Sequence, residues 1–435
     1  GRGGRGFGGG SRGREILING KRTAGKNNST GGQLDRITAE QVDYIQIIRG
    51  TSGELDVRGS GQVINVVLFE QLTSSSISYE ASASRSRDHT VKPGGDLSYS
   101  GQRGGLNFLF NANVQKPYSD YISKENSILG DFSPNDLVRE DRVTEGDTAM
   151  FSTNLDYEIN SNSSARINAL FREGDGPTEL FRRTTDLKVN PNTVLLQREE
   201  SPTETDNWEI GGDYEYNTAR GDRFKILFIS NEATFETTRQ RWDVEDDGSE
   251  TKNLFLDNAS TTRERIVRSS YTMDILQGQD IEFGAERAQT ILDSNLALGL
   301  ASSTGTPSAD FGGLVPISVA NANSSVEEIR VESFIIHNWI FNPRMSLETS
   351  VLYENSEITQ SGDVSKKRDF DFIKPKVDFR YDLTPTIQLR GSIEKVVEQL
   401  SFNDFVAATD RNDEDSNIQA GNENLRQEWY WKYDI

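Results

Sequence analysis

Residues 149–160 read AMFSTNLDYEIN and alternate without a slip. Ala149, Phe151, Thr153, Leu155, Tyr157 and Ile159 take one set of positions; Ser152, Asn154, Asp156, Glu158 and Asn160 take the other. In an extended strand residues i, i+2 and i+4 share a face, so the stretch predicts a sheet with one apolar and one strongly polar side. The pattern recurs. Leu106, Phe108, Phe110, Ala112 and Val114 oppose Asn107, Asn111, Asn113 and Gln115, and Trp208, Ile210, Tyr214 and Tyr216 oppose Glu209, Asp213, Glu215 and Asn217. About fourteen such segments follow Ser74. Leu109, Leu170 and Leu352 interrupt the polar face, and Arg287 and Lys395 the apolar one.

Composition narrows what that apolar side can meet. Only 34% of the 435 residues are hydrophobic and mean hydropathy is -0.63, poor material for several packed cores. No run approaches the roughly 20 apolar residues of a membrane helix. A membrane reading therefore rests on a β-barrel, whose apolar face meets lipid. The first residues lack a charged segment followed by an apolar one, so no signal peptide is expected here. With no cysteine, disulfides, thiolate metal sites and a cysteine nucleophile are excluded. A formal net charge of -21 argues against nucleic acid as a partner, since phosphate neutralisation needs a basic surface.

The connections add a second regularity. Short turns are expected at 102–105, 160–164, 218–222, 277–279, 342–344 and 384–385, and long loops at about 117–147, 174–205, 237–260, 293–325 and 401–424. Short and long alternate, which in an up-and-down meander places all short turns at one rim and all long loops at the other, as in outer-membrane barrels. A soluble sandwich also alternates apolar and polar residues, but its Greek-key crossings would not produce this parity. Aromatics near strand ends, Tyr157, Phe171, Tyr381, Trp429, Trp431 and Tyr433, suit interfacial girdles.

Residues 1–70 break the pattern and read as a small mixed unit: strands at 15–19, 44–48 and 62–69 and a short helix near 39–43. The strings REILINGKR, ITAEQVDYIQIIRG and LDVRGSGQVINVVL resemble the plug of TonB-dependent outer-membrane receptors, and AGNENLRQEWYWKYDI resembles that family's loop-to-strand segment near the C-terminus. Glu423 and Gln427 stand where the family pattern has prolines. The resemblance implies a transmembrane antiparallel β-barrel over 71–435 and a mixed α/β plug domain, 1–70, in its lumen. It implies 22 strands, of which about fourteen are present, so the chain is expected to be a fragment lacking the N-terminal TonB box and the last barrel strands. By similarity Arg49, Gly50, Gly59, Gly61 and Asn65 take structural positions of the plug.

Several motifs have competing readings. GRGGRGFGGGSRGR resembles an arginine-glycine RNA-binding tract, but it runs directly into the plug-like string of an acidic chain. Arg220-Gly221-Asp222 matches an adhesion tripeptide, yet it falls where a short turn wants Gly and Asp anyway. Asp243, Glu245, Asp247 and Gly248 echo the start of an EF-hand loop, but the twelfth position is Leu254 rather than glutamate. A looser loop-bound calcium remains the one cofactor expectation. His89 sits in an external connection and is the more plausible metal ligand of the two histidines; His337 lies in an apolar run and is expected to pack near an interface. Acid pairs such as Asp156 and Glu158 arise without design in so acidic a chain, and no nucleophile elbow or zinc motif accompanies them, so no enzyme is read.

The expectation is an outer-membrane receptor that binds a scarce solute at external loops and plug apices and imports it with energy from a TonB-type protein. Phe7, Arg12, Arg22 and Lys26 are candidate apex or solute contacts, and Asp156, Glu158, Glu209, Asp213 and Glu215 a candidate lumen wall. The rival reading is a surface-exposed adhesion or ligand-binding β-protein without transport.

Overall fold

A run that alternates this strictly buries one face whichever way it pairs, provided its register holds. In the computed structural model the opening stretch lies in a strand, Thr148–Asn160, hydrogen-bonded on both sides. The structure describes residues 15–18, 42–49, 62–68, 74–384, 386–409 and 418–435.

Three short strands, β1 (Glu15–Ile18), β2 (Val42–Arg49) and β3 (Gln62–Leu68), form a separate sheet in the order β1-β3-β2. Val42 and Asp43, expected at the end of a helix, are strand residues, Val42 paired to Leu68 of β3 and Asp43 at a bulge in that ladder. The β-branched run in VINVVL stabilises the central strand.

The remaining strands build one closed antiparallel barrel. It begins with β4 (Ser74–Arg85), β5 (Val91–Arg103), β6 (Leu106–Gln115), β7 (Tyr118–Ile128), β8 (Pro134–Glu145) and β9 (Thr148–Asn160). Next come β10 (Ser163–Asp175), β11 (Thr178–Asp186), β12 (Thr193–Ser201), β13 (Thr203–Asn217), β14 (Arg223–Val244), β15 (Glu250–Leu276) and β16 (Gln279–Leu300). After the short β17 (Val315–Ile317) follow β18 (Asn323–Asn342), β19 (Met345–Gly362), β20 (Lys366–Thr384) and β21 (Ile387–Val397). The β22 (Ala408–Thr409) and β23 (Ile418–Gln419) pair lies outside the barrel wall, which ends with β24 (Trp429–Asp434). Four staves are each split in two, between β6 and β7, β8 and β9, β10 and β11, and β12 and β13. Pro117, Gly146, Gly176-Pro177 and Pro202 stand at those breaks, where proline has no N–H for the ladder. Counting each pair once gives fourteen staves, as the alternation predicts.

Burial along the staves is the reverse of a soluble protein's. Val267, Ile335, Phe228 and Ile167 are exposed, whereas Glu209, Glu286 and Glu354 are almost fully enclosed. Neighbouring residues of one strand split this way: Val267 is 51% exposed and Ile266 and Glu264 on the other face only 1% and 6%. An apolar band on the outside of a closed barrel is what a hydrocarbon solvent selects. Lys395, out of place on the apolar face, lies over the Trp429 ring at 4.7 Å, as a snorkelling amine does in an aromatic girdle.

The expected loop parity holds, but most of the long connections are not loops. The segments 117–147, 174–205 and 237–260 are mainly strand, with only 129–133, 187–192 and 245–249 between paired strands. β15 alone has 27 residues, whereas the bilayer core takes about 9–11. The excess forms hairpins rising beyond the membrane, where the outer face meets water and the outward apolar stripe ends.

The longer connections among the described residues, 301–322 and the stretches 398–409 and 418–428, lie at this same rim. Phe402, Phe405 and Val406 pack on the inward-facing Leu292, Val326 and Ile358, and Ala322 and Ala407 pack on Leu254, Leu256, Leu296 and Leu298. Residues 402–407 are thereby fastened to the inner wall of the mouth. Gln360 Nε2 donates to Phe405 O at 3.2 Å and Asn321 Nδ2 to Gly421 O at 2.9 Å.

Candidate functional site

The inward faces of the staves converge on the lumen, and the predicted wall residues all stand on them. Arg166 on β10 lies in register between Asp156 on β9 and Asp213 on β13. Its Nη2 donates to Asp213 Oδ1 at 2.8 Å, so the carboxylates are brought together around a cation that the sequence reading did not single out. Glu215 lies opposite Lys225 across β13 and β14, Glu209 is 1% exposed, and Glu158 is exposed at the short-turn rim.

A larger charged network occupies the wall from β15 to β20. Glu286, Glu332 and Glu354 are direct cross-strand neighbours on β16, β18 and β19, an arrangement of like charges that is unfavourable alone. Arg330 and Lys374 are threaded between them. Arg330 Nη2 donates to Glu286 Oε1 at 2.6 Å and lies 3.8 Å from Glu332 and 3.9 Å from Glu354. Lys374 Nζ donates to Glu354 Oε2 at 2.8 Å and also to Glu332. Lower down, Lys376 pairs with Asp378 at 2.6 Å, and Asn338 Nδ2 donates to Asp280 Oδ1 at 2.8 Å. The signal available in sequence was mixed-sign charge at alternate positions, as in Glu328, Arg330 and Glu332, rather than carboxylates alone.

The opposite wall is mostly uncharged. Ser98, Ser100, Asn111, Ser152 and Asn168 are buried on β5, β6, β9 and β10, with Asn111 Nδ2 donating to Ser98 Oγ at 3.1 Å and Asp96 Oδ2 at 2.8 Å. The lumen thus holds one hydrogen-bonding amide and hydroxyl wall and one ion-paired wall.

The other candidates are dispersed. Arg49 belongs to β2, opposite Gln62, and Asn65 is buried with Nδ2 donating to Gln46 Oε1 at 3.2 Å. Gly50, Gly59, Gly61, Phe7, Arg12, Arg22 and Lys26 lie outside the described residues. Asp243 accepts from Gln197 Nε2 at 3.0 Å and Asn253 Nδ2 at 2.6 Å. Asp247 accepts from Ser249 N at 2.9 Å, and the Ser249 hydrogen bonds hold its carboxyl below the usual range. Asp243 thus bridges β12 and β15 across β14 while Asp247 serves the 245–249 turn, and among the described residues no group of three or more histidine and acidic side chains is gathered for a metal. Gly221, in the Arg-Gly-Asp turn, has φ +92 and Thr218 Oγ1 accepts from Arg220 N and Asp222 N, so the tripeptide closes a short turn. His337 faces outward beside Trp339, and its Nε2 is 3.0 Å from Gln279 Oε1; His89, at φ 73, meets Arg85 at 2.9 Å.

The family model for the TonB dependent receptor-like β-barrel matches residues 78–435. Among solved structures, the copper transporter OprC superposes with a TM-score of 0.50 at 10% identity, covering 89% of this chain and 56% of that one. The Bordetella pertussis alcaligin outer-membrane receptor FauA gives 0.46 at 9% identity, covering 88% and 54%. A double mutant of the Serratia marcescens hemophore receptor HasR, in complex with HasA and heme, gives 0.49 at 9%, covering 96% and 60%. The chain therefore spans little more than half the length of these solved receptors. No curated protein matches it in sequence.

Proposed function

This chain belongs to the TonB-dependent receptor family, a family of outer-membrane receptors and transporters, and from that premise we propose that it forms the wall of an energised importer. The tall hairpins and the 398–428 segment form a vestibule that captures a solute. Residues 1–70 act as the plug beneath it, with Arg12, Arg22 and Lys26 meeting lumenal carboxylates, Phe7 at an apex, and Arg49, Gly50, Gly59, Gly61 and Asn65 shaping its turns. A TonB-type protein then supplies work that rearranges the plug so the solute can pass.

The observation that carries this reading is the inverted barrel: lipid-suited side chains outside and a lumen lined with ion-paired and amide groups. Such groups need water or another polar surface against them, which a filled lumen supplies. Deleting residues 1–70 is expected to turn a barrel of low conductance in planar bilayers into an open pore and to abolish protonophore-sensitive uptake in cells. Unchanged conductance after the deletion refutes the filled lumen, and an adhesin would keep its binding without any energised uptake.

A further inference from the structure

Beyond the bilayer, the inward faces of β8, β11, β12 and β14 hold a group of guanidiniums that takes no part in the lumenal networks. Arg182 on β11 and Arg239 on β14 are 5% and 6% exposed. Arg182 Nε donates to Glu140 Oε1 at 2.7 Å, and Arg239 Nη2 donates to Glu199 Oε2 at 2.8 Å. The ladder brings two more arginines to the same patch. Arg241 lies opposite Glu199 across β12 and β14, and Arg142, two residues beyond Glu140, lies opposite Leu180, itself opposite Glu199.

Arg182 and Arg142 thus share Glu140, Arg239 takes Glu199, and Arg241 Nε donates to the neutral Asn253 Oδ1 at 2.9 Å, so four guanidiniums stand beside Glu140, Glu199 and Asp243. Asp243 already accepts the Gln197 and Asn253 amides. Burial, and then the Arg239 charge, push the Arg241 guanidinium below its ordinary value, and Arg182 adds to the push. Like charges held this close in a partly enclosed patch are unfavourable unless something negative is admitted. Two donors mark where. Arg239 Nη1, on a side chain more than nine-tenths buried, and Arg142 Nε are enclosed with no hydrogen-bond acceptor. A buried donor left without a partner costs about 1–3 kcal/mol. Arg142 keeps 28% of its side chain open and sits 3.7 Å from Glu140, so it is the member that an incoming group can reach.

We propose that this patch is an anion subsite in the vestibule, receiving a carboxylate or phosphate group of the captured solute between Arg142 and Arg239. Planar guanidiniums bind such groups in a two-pronged fashion that a lysine ammonium does not reproduce. The subsite rests on the import reading only for what delivers the anion. Its inward orientation commits it to a water-borne anion, since phosphates of outer-leaflet lipid meet the outward face.

The test is calorimetric titration of the full chain in detergent with malonate and with pyrophosphate, at constant ionic strength. At least one probe is expected to bind, and Arg142→Gln and Arg239→Gln each to weaken it tenfold or more. Arg263→Gln is the control: Arg263 pairs with Glu232 and Asp293 on the outward face, and its loss is expected to leave binding within twofold. Retention of heat-modifiable gel migration checks folding; if Arg239→Gln fails it, Arg142→Gln, which breaks no short ion pair, carries the test. Absence of binding for both probes, or equal weakening in all three variants, overturns the subsite. So does competition by added lipopolysaccharide, which would assign the arginines to lipid. Failure here leaves the conductance change on deleting residues 1–70 untouched, and loss of that change leaves anion binding measurable.

Discussion

Placing an arginine at Leu155 tests which solvent the outer face meets. Leu155 lies on β9 opposite Ile167 on β10 and Phe108 on β6, both on the outward face. The strand ends at Asn160, five residues on; at about 3.3 Å per residue and a tilt near 40°, Leu155 stands about 13 Å from the short-turn rim. That is close to the middle of a ~30 Å hydrocarbon core. Arginine there is expected to cost about 2–4 kcal/mol, whereas on a water-exposed surface it would cost under about 0.5 kcal/mol. Leu389, two residues from the start of β21, lies at the interface, where the expected cost is about 0–1 kcal/mol. Glu158→Arg, at the exposed lumenal rim, is expected to be near neutral. The assay is equilibrium urea unfolding from lipid vesicles followed by tryptophan fluorescence. A cost of 3 kcal/mol changes the folding constant by about a hundredfold, well outside error. If Leu155→Arg costs no more than Glu158→Arg, the lipid-facing assignment is wrong, whatever the topology of the sheet.

Lys374→Met leaves Glu332 and Glu354 facing each other and is expected to cost about 3 kcal/mol in the same assay; adding Glu354→Gln should recover part of that loss, and an additive double mutant would refute the coupling. Asp88 is held at about 2, first by the Tyr118 hydroxyl and then by Thr90. Because this value is depressed below 3.8, the contact is fully present above that pH and is lost as pH falls through about 2. Tyr118→Phe is therefore expected to raise the Asp88 value toward 3.8, read by carboxyl NMR, and an unmoved titration would discount the Tyr118 bond. At Gly421 an added Cβ would lie 2.0 Å from Phe405 O, so Gly421→Ala should loosen residues 402–407 at a cost of about 1–3 kcal/mol. Faster hydrogen exchange at the Phe405 and Ala407 amides is the expected readout; unchanged protection would show that the backbone yields instead.

What the sequence made legible is what one strand can show by itself. The alternation from Ala149 to Asn160 gave the strand, its outward face and, repeated, the stave count. What it concealed depends on register. Asp156 and Asp213 are 57 residues apart in sequence and share Arg166 only because β9, β10 and β13 pair as they do. The same holds for Glu286, Glu332 and Glu354, each unremarkable in its own segment and adjacent only across the ladder. The hairpins above the membrane escaped notice for a different reason. The strand Tyr118–Ile128 is polar on both faces because both meet water, so period 2 carries no contrast there.

β15 joins these two regimes within a single strand. In its lower part the inward side carries Glu264 and Arg268, with Ile266 packed between them on Ile229 and Ala288, while Val267 faces out, because the outer solvent is hydrocarbon and the lumen is mainly polar. Some ten residues up the strand the inward side becomes Leu254 and Leu256, enclosed by Leu296, Leu298 and the infolded Ala407. Nothing in the backbone changes between them. Above the membrane the outer solvent is water, so burial reverts to the rule of soluble proteins and the apolar side turns inward to hold the mouth loops. The strand keeps its parity and exchanges which side is apolar, and the level of that exchange marks the upper edge of the bilayer more sharply than any single aromatic residue does.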